Sequence, residues 1–156
     1  MKETKQDGPI LVPVDFSPYS AAALAFAANL ADCVGRSLTV LHVVHDPGEM
    51  PGYYSRGIKP KHLQRIEDAA AEMLEAFLAK ARKQLPDSKP MLEAESVLVK
   101  GLPRNRILEL AEQKEASMIV MGSKGETGLK RLALGSVAER VVQLAPIPVT
   151  VVKAAK

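Results

Sequence analysis

Short stretches of almost unbroken aliphatic residues constrain this chain most, because each is too short for a helix and too apolar for a strand with one wet face. The first runs through Ile10, Leu11, Val12, Pro13 and Val14 to Asp15; the others occupy residues 37–44, 116–121 and 149–152. Strands buried on both faces have this pattern, as parallel sheets require. Residues 91–100, Met-Leu-Glu-Ala-Glu-Ser-Val-Leu-Val-Lys, alternate loosely instead, which reads as an edge strand exposed in its first half. Helical signals separate the five. Ser17 and Pro18 supply a cap and a first-turn proline ahead of an alanine-rich run that stops at Gly35. Over residues 61–85, Leu63, Ile66, Ala70, Met73, Leu74, Phe77, Ala81 and Leu85 form one apolar stripe, ended by Pro86. Gly101, Leu102 and Pro103 open a helix whose buried face is Ile107, Leu108, Leu110 and Ala111, and residues 137–144 form the last. Strand and helix alternating in this way predict a doubly wound α/β fold, a parallel sheet with right-handed crossovers and helices on both faces.

With 156 residues, 47% of them hydrophobic, the chain is expected to be one domain spanning residues 1–156, with residues 1–8 and the last few frayed. Its 21 Lys and Arg are scattered among 18 Asp and Glu for a net charge of +3, so nothing demands a nucleic-acid partner, and the few aromatic residues leave no stacking platform. Cys33 stands alone, which excludes an internal disulfide and fits a cytoplasmic setting. No run approaches a membrane span, so no membrane partner is expected. His42 lies inside a strand and reads as a satisfied core histidine, while His45 and His62 have no ligand spacing; no protein-held metal site is assigned. Residues 45–61, rich in Pro and Gly and carrying Tyr53 and Tyr54, read as a long surface loop, functional or merely connecting.

Chemistry concentrates in residues 121–137. Gly122 and Gly125 follow the 116–121 strand, and Gly135 and Ser136 open the last helix. Strand, glycine loop and helix start together suggest a phosphate cradle, since free N–H groups at a helix start attract anions. Lys124, Lys130 and Arg131 supply countercharge. The motif is neither a Walker A loop nor the Gly-x-Gly-x-x-Gly fingerprint, and Gly122 alone could serve as a tight strand exit. In a doubly wound sheet, ligands lie beyond the carboxyl ends of the strands where their order reverses. If that order is 3-2-1-4-5, Pro13, Val14 and Asp15 meet residues 121–125 in one crevice.

The spacing Gly122-x2-Gly125-x9-Gly135-Ser136 resembles the hallmark of the ATP-binding branch of the universal stress protein family. The opening residues 10–17, Leu41-His42-Val43-Val44, Val99-Lys100-Gly101-Leu102-Pro103 and the closing residues 148–152 are similar to that family too. The resemblance implies a five-stranded sheet of order 3-2-1-4-5. It implies adenine against Pro13, Val14 and Val43, with Asp15 near the ribose and phosphates. Met121, Gly122, Lys124, Gly125, Gly135, Ser136 and Val137 would wrap the ribose and triphosphate, with Mg²⁺ held through the nucleotide. It further implies a stress-response regulator acting as a cytoplasmic homodimer paired through Val149 to Val152. No catalytic residue is assigned. Asp15 is the one obvious carboxylate near the crevice, so little turnover is expected, and a slow ATP hydrolase or autophosphorylating enzyme is the alternative.

Overall fold

A computed structural model describes residues 7–45, 60–124 and 134–154. Five parallel strands form one sheet in the order β3-β2-β1-β4-β5. They are β1 (Ile10–Pro13), β2 (Leu38–His45), β3 (Glu95–Gly101), β4 (Met118–Gly122) and β5 (Val149–Val152). The helices are α1 (Pro18–Val34), α2 (Pro60–Gln84), a short α3 (Lys89–Leu92), α4 (Pro103–Gln113) and α5 (Ser136–Leu144).

Side chains alternate across the sheet, so each central strand feeds two cores. Ile10, Val12, Leu38, Val40 and Val120 meet α1, α2 and α3 on one face, packed with Ala23, Ala27, Leu74, Leu78 and Met91. On the other, Leu11, Leu41, Ile119 and Met121 meet Ile107, Leu110, Ala138 and Val141 of α4 and α5. Ile10, Leu11, Val12 and Val40 are fully buried. Each such side chain contributes about 1.5–3 kcal/mol, which is why the central strands carry unbroken aliphatic runs. Alanines on the buried face of α1 let that helix lie close to the sheet.

Local chemistry sets the element ends. Ser17 caps α1, its Oγ accepting from Ser20 N–H at 3.2 Å, and Gly35 closes it in the left-handed region at φ 67°. The third strand begins later than the 91–100 reading. Ser88 Oγ accepts from Met91 N–H at 3.3 Å and Pro90 presets the first turn, so residues 89–92 coil into α3. Met91 is thus a fully buried plug beneath α1 and α2, and its apolar character reports that site instead of a strand face. The start of the chain is tied down further than expected. Asp7 accepts from Arg36 Nη1 at 2.8 Å, and a Cβ on Gly8 would collide with Glu115 O, so Gly8 is packed. Among the described residues no helix is long and apolar enough to cross a membrane.

Candidate functional site

The sheet order reverses between β1, whose crossover through α1 leads to β2, and β4, whose crossover through α5 leads to β5. Neighbouring crossovers leave in opposite directions there, so a crevice opens beyond the strand ends. A cavity of about 320 Å³ fills it, at the small end of the ~300–1,000 Å³ range of ligand clefts. Pro13, Val14 and Asp15 line it from the end of β1, Val43 from β2, and Met121, Gly122 and Lys124 from the end of β4. Gly135, Ser136 and Val137 line it from the start of α5. All the site residues expected from the sequence therefore meet in this crevice except Gly125, which lies outside the described residues, as do Lys130 and Arg131.

The cavity lining combines two kinds of chemistry. Val14, Leu41, Val43, Ile107 and Met121 make an apolar wall suited to a flat ring. The start of α5 lines it too. Glu139 N–H makes the first helical bond, to Gly135 O at 2.9 Å, so the amides of Ser136, Val137 and Ala138 precede it and present donors and the positive end of the helix dipole. Lys124 adds a cation on the same rim. Gly135 is the cap residue and Ser136 the first helical one, so Ser136 does not cap the helix.

Backbone bonds hold this rim. Ser123 O accepts from Gly135 N–H at 2.8 Å, and Ser123 N–H donates to Val152 O at 2.9 Å. The end of β4, the start of α5 and the end of β5 are therefore joined through one residue. Asp15 is held as well: its Oδ1 accepts from Ser17 N–H at 3.1 Å, and its own N–H donates to Ser20 Oγ at 3.3 Å. The carboxylate thereby caps the β1–α1 turn, and Asp15 also lines the cavity.

Packing also requires a glycine at 122. A Cβ built there would lie 2.8 Å from Tyr19 C, 2.9 Å from Tyr19 Cβ and 3.0 Å from Tyr19 O. The missing side chain makes room for the first turn of α1, and a larger residue would push that helix off the strand. His42 is satisfied, as its place in a strand suggests: its Nδ1 lies 2.7 Å from Val14 O. Pro103 and Ile107 of α4 and Ser20 of α1 also line the cavity, and the sequence reading did not name them as site residues. Ser20 carried a usable signal, since it lies three residues after the Ser17 cap and so faces back toward the end of β1.

The universal stress protein family model matches residues 8–153 of the chain. The universal stress protein MJ0531 of Methanocaldococcus jannaschii is 36% identical over 147 residues, covering 94% of this chain and 82% of that protein. The universal stress protein YxiE of Bacillus subtilis is 33% identical over 150 residues, covering 92% and 97%. Among solved structures, universal stress protein UspA from Lactobacillus plantarum superposes with a TM-score of 0.76 at 31% identity, covering 93% of this chain and 97% of that one. The universal stress protein from Archaeoglobus fulgidus in complex with dAMP gives 0.63 at 28% identity, covering 94% and 98%. With a family match that spans all five strands and both walls of the crevice, this chain belongs to the universal stress protein family.

Proposed function

We propose that this protein binds ATP, with Mg²⁺ carried by the nucleotide, in the crevice between the ends of β1 and β4. The observation that carries the reading is the cavity's mixed lining: apolar side chains from β1, β2, β4 and α4 share it with the amide-rich start of α5 and Lys124. Adenine would lie against Pro13, Val14 and Val43. The phosphates would meet the amides of Gly135, Ser136 and Val137 with Lys124 as countercharge, and the Asp15 carboxylate would receive a ribose hydroxyl or hold Mg²⁺ through water. Met121 packs against α4 and α5, Gly122 leaves room for the first turn of α1, and Gly125 follows three residues later in the sequence. The Archaeoglobus fulgidus relative is found in complex with dAMP, which supports a nucleotide as the ligand.

The protein acts as a cytoplasmic stress-response module whose affinity for a downstream partner follows nucleotide occupancy. Asp15 already accepts a backbone N–H, which suits holding better than proton abstraction. A homodimer forms through β5, which pairs with β4 on one side and leaves its other edge to a second copy. Isothermal titration calorimetry tests the binding: heat is expected with ATP and Mg²⁺ and a weaker response in EDTA, and no heat at millimolar ATP would refute it. Steady-state turnover approaching about 1 s⁻¹, the low end for kinases, would replace the binding module with an enzyme. Sedimentation showing a stable monomer at micromolar concentration would refute the dimer.

A further inference from the structure

The β1–β2 ladder stops one rung short of where its register would carry it. Pro13 stands opposite Leu41. Val14 N–H then donates to Leu41 O at 2.8 Å. In a parallel ladder a residue bonds to both neighbours of the residue it faces, so the next rung would bring Val43 N–H to Val14 O. Instead Val14 O meets His42 Nδ1 at 2.7 Å. A carbonyl oxygen only accepts, so Nδ1 carries the proton and the imidazole takes the place of that rung.

Alternation fixes where this leaves Val43. Ser37 and Leu41 turn their carbonyls toward β1, accepting from Ile10 and Val14. Val43, two residues on, turns its peptide groups the same way, past the last rung and into the cavity that it lines. The imidazole is itself held. Phe16 stacks on it with ring centroids 4.3 Å apart and planes at 29°, and Phe77 of α2 braces Phe16 edge-on at 5.6 Å. Phe16 adopts φ 67°, the left-handed region that a bulky residue normally avoids, directly after Asp15. A strained backbone is kept where its ring is needed.

We propose that His42 is a positioning residue of the crevice: by occupying Val14 O it ends the ladder early and keeps the Val43 main chain turned toward the ligand. Phe16 orients the ring for that purpose. For its affinity effect this rests on the nucleotide reading above; for its effect on Val43 it does not.

Backbone hydrogen exchange by NMR on the full chain without nucleotide tests it. His42→Phe keeps a ring against Phe16 and removes the donor, whereas His42→Asn restores a donor on the same γ-carbon. In His42→Phe, Val43 N–H closes onto Val14 O and its exchange slows by about tenfold, the size of one net hydrogen bond; in His42→Asn it returns toward the wild-type rate. A purely structural role predicts the opposite sign, faster exchange along β2, and either that or an unchanged Val43 overturns the proposal. ATP affinity in the presence of Mg²⁺ falls about tenfold in His42→Phe and recovers in His42→Asn. If the wild-type protein binds no ATP, the nucleotide reading fails and the Val43 amide alone decides. Should the variants not fold, the wild-type imidazole decides: long-range ¹H–¹⁵N spectra show neutral His42 as the Nδ1–H tautomer, and an Nε2–H tautomer overturns the proposal.

Discussion

Replacing Gly122 with alanine separates packing from ligand contact at the first glycine of the Gly122-x2-Gly125-x9-Gly135-Ser136 spacing. The added methyl would lie 2.8–3.0 Å from Tyr19 C, Cβ and O, against an ordinary contact of 3.4 Å or more. Those atoms belong to the first turn of α1, so no rotamer change relieves the clash, and helix and strand must separate by about half an ångström. Overpacking of this kind costs about 1–3 kcal/mol. In a chain of this size each kcal/mol moves the melting temperature by about 2–4 °C, so the drop should fall near 2–12 °C. Gly35→Ala calibrates the measurement. Gly35 has φ 67° with nothing within 4 Å of its added Cβ, so it carries conformational strain alone, about 1–2 kcal/mol. Thermal and urea unfolding followed by circular dichroism give both numbers. Ser123 follows Gly122 and bonds to Gly135, so the displacement also reaches the start of α5 and nucleotide affinity falls with stability. A Gly122→Ala protein with unchanged melting temperature and lost ATP binding would refute the packing argument and place the glycine against the ligand.

Three other perturbations have distinct signatures. Ser17→Ala removes the α1 cap, costs about 1 kcal/mol, and loosens Ser20 and with it the Asp15 turn, which denaturant midpoints will register. Asp15→Asn keeps the turn acceptor but removes the charge, so calorimetry should show ATP affinity losing most of its Mg²⁺ dependence while unfolding is nearly unchanged; an undiminished Mg²⁺ effect contradicts the role given to Asp15. Glu95 is held below the ordinary carboxylate range, first by its hydrogen bond from Lys114, against the opposing effect of burial, and further by Thr39 Oγ1. A depressed folded-state value means the stabilisation is present above the unfolded value and is lost as pH falls through the folded one. The pair is half exposed and contributes at most about 1 kcal/mol. Lys114→Met should raise the Glu95 titration midpoint in NMR, and an unmoved midpoint would discount the pair.

Fold legibility followed burial. β1, β2 and β4 bury residues on both faces, which nearly continuous apolar runs satisfy, so their sequences are diagnostic. Residues 91–94 read as strand in the sequence because a fully buried Met91 looks the same there whether it sits in a strand or plugs a core from a helical turn. The crevice was legible from Asp15 and the glycine spacing, because strand ends at a switch point converge whatever else the chain does. Gly122 shows the limit: its place was readable, but the Tyr19 backbone that requires it lies over a hundred residues away and appears only once α1 is docked. The contributions of Pro103 and Ile107 had no local signal either, since they enter the cavity only because α4 packs on the same face as α5. His42 read correctly as satisfied, while its partner, the carbonyl of Val14, depends on the β1–β2 register.

Backbone NMR of the ¹⁵N-labelled protein, titrated with ATP and Mg²⁺, tests the central claim most directly. Saturable shifts are predicted at Val14, Asp15, Val43, Ser123, Lys124 and the amides of Ser136, Val137 and Ala138, with the α1–α2 core face unmoved beyond Phe16 and His42. Shifts confined to other surfaces, or none at saturating nucleotide, would contradict the crevice as the nucleotide site.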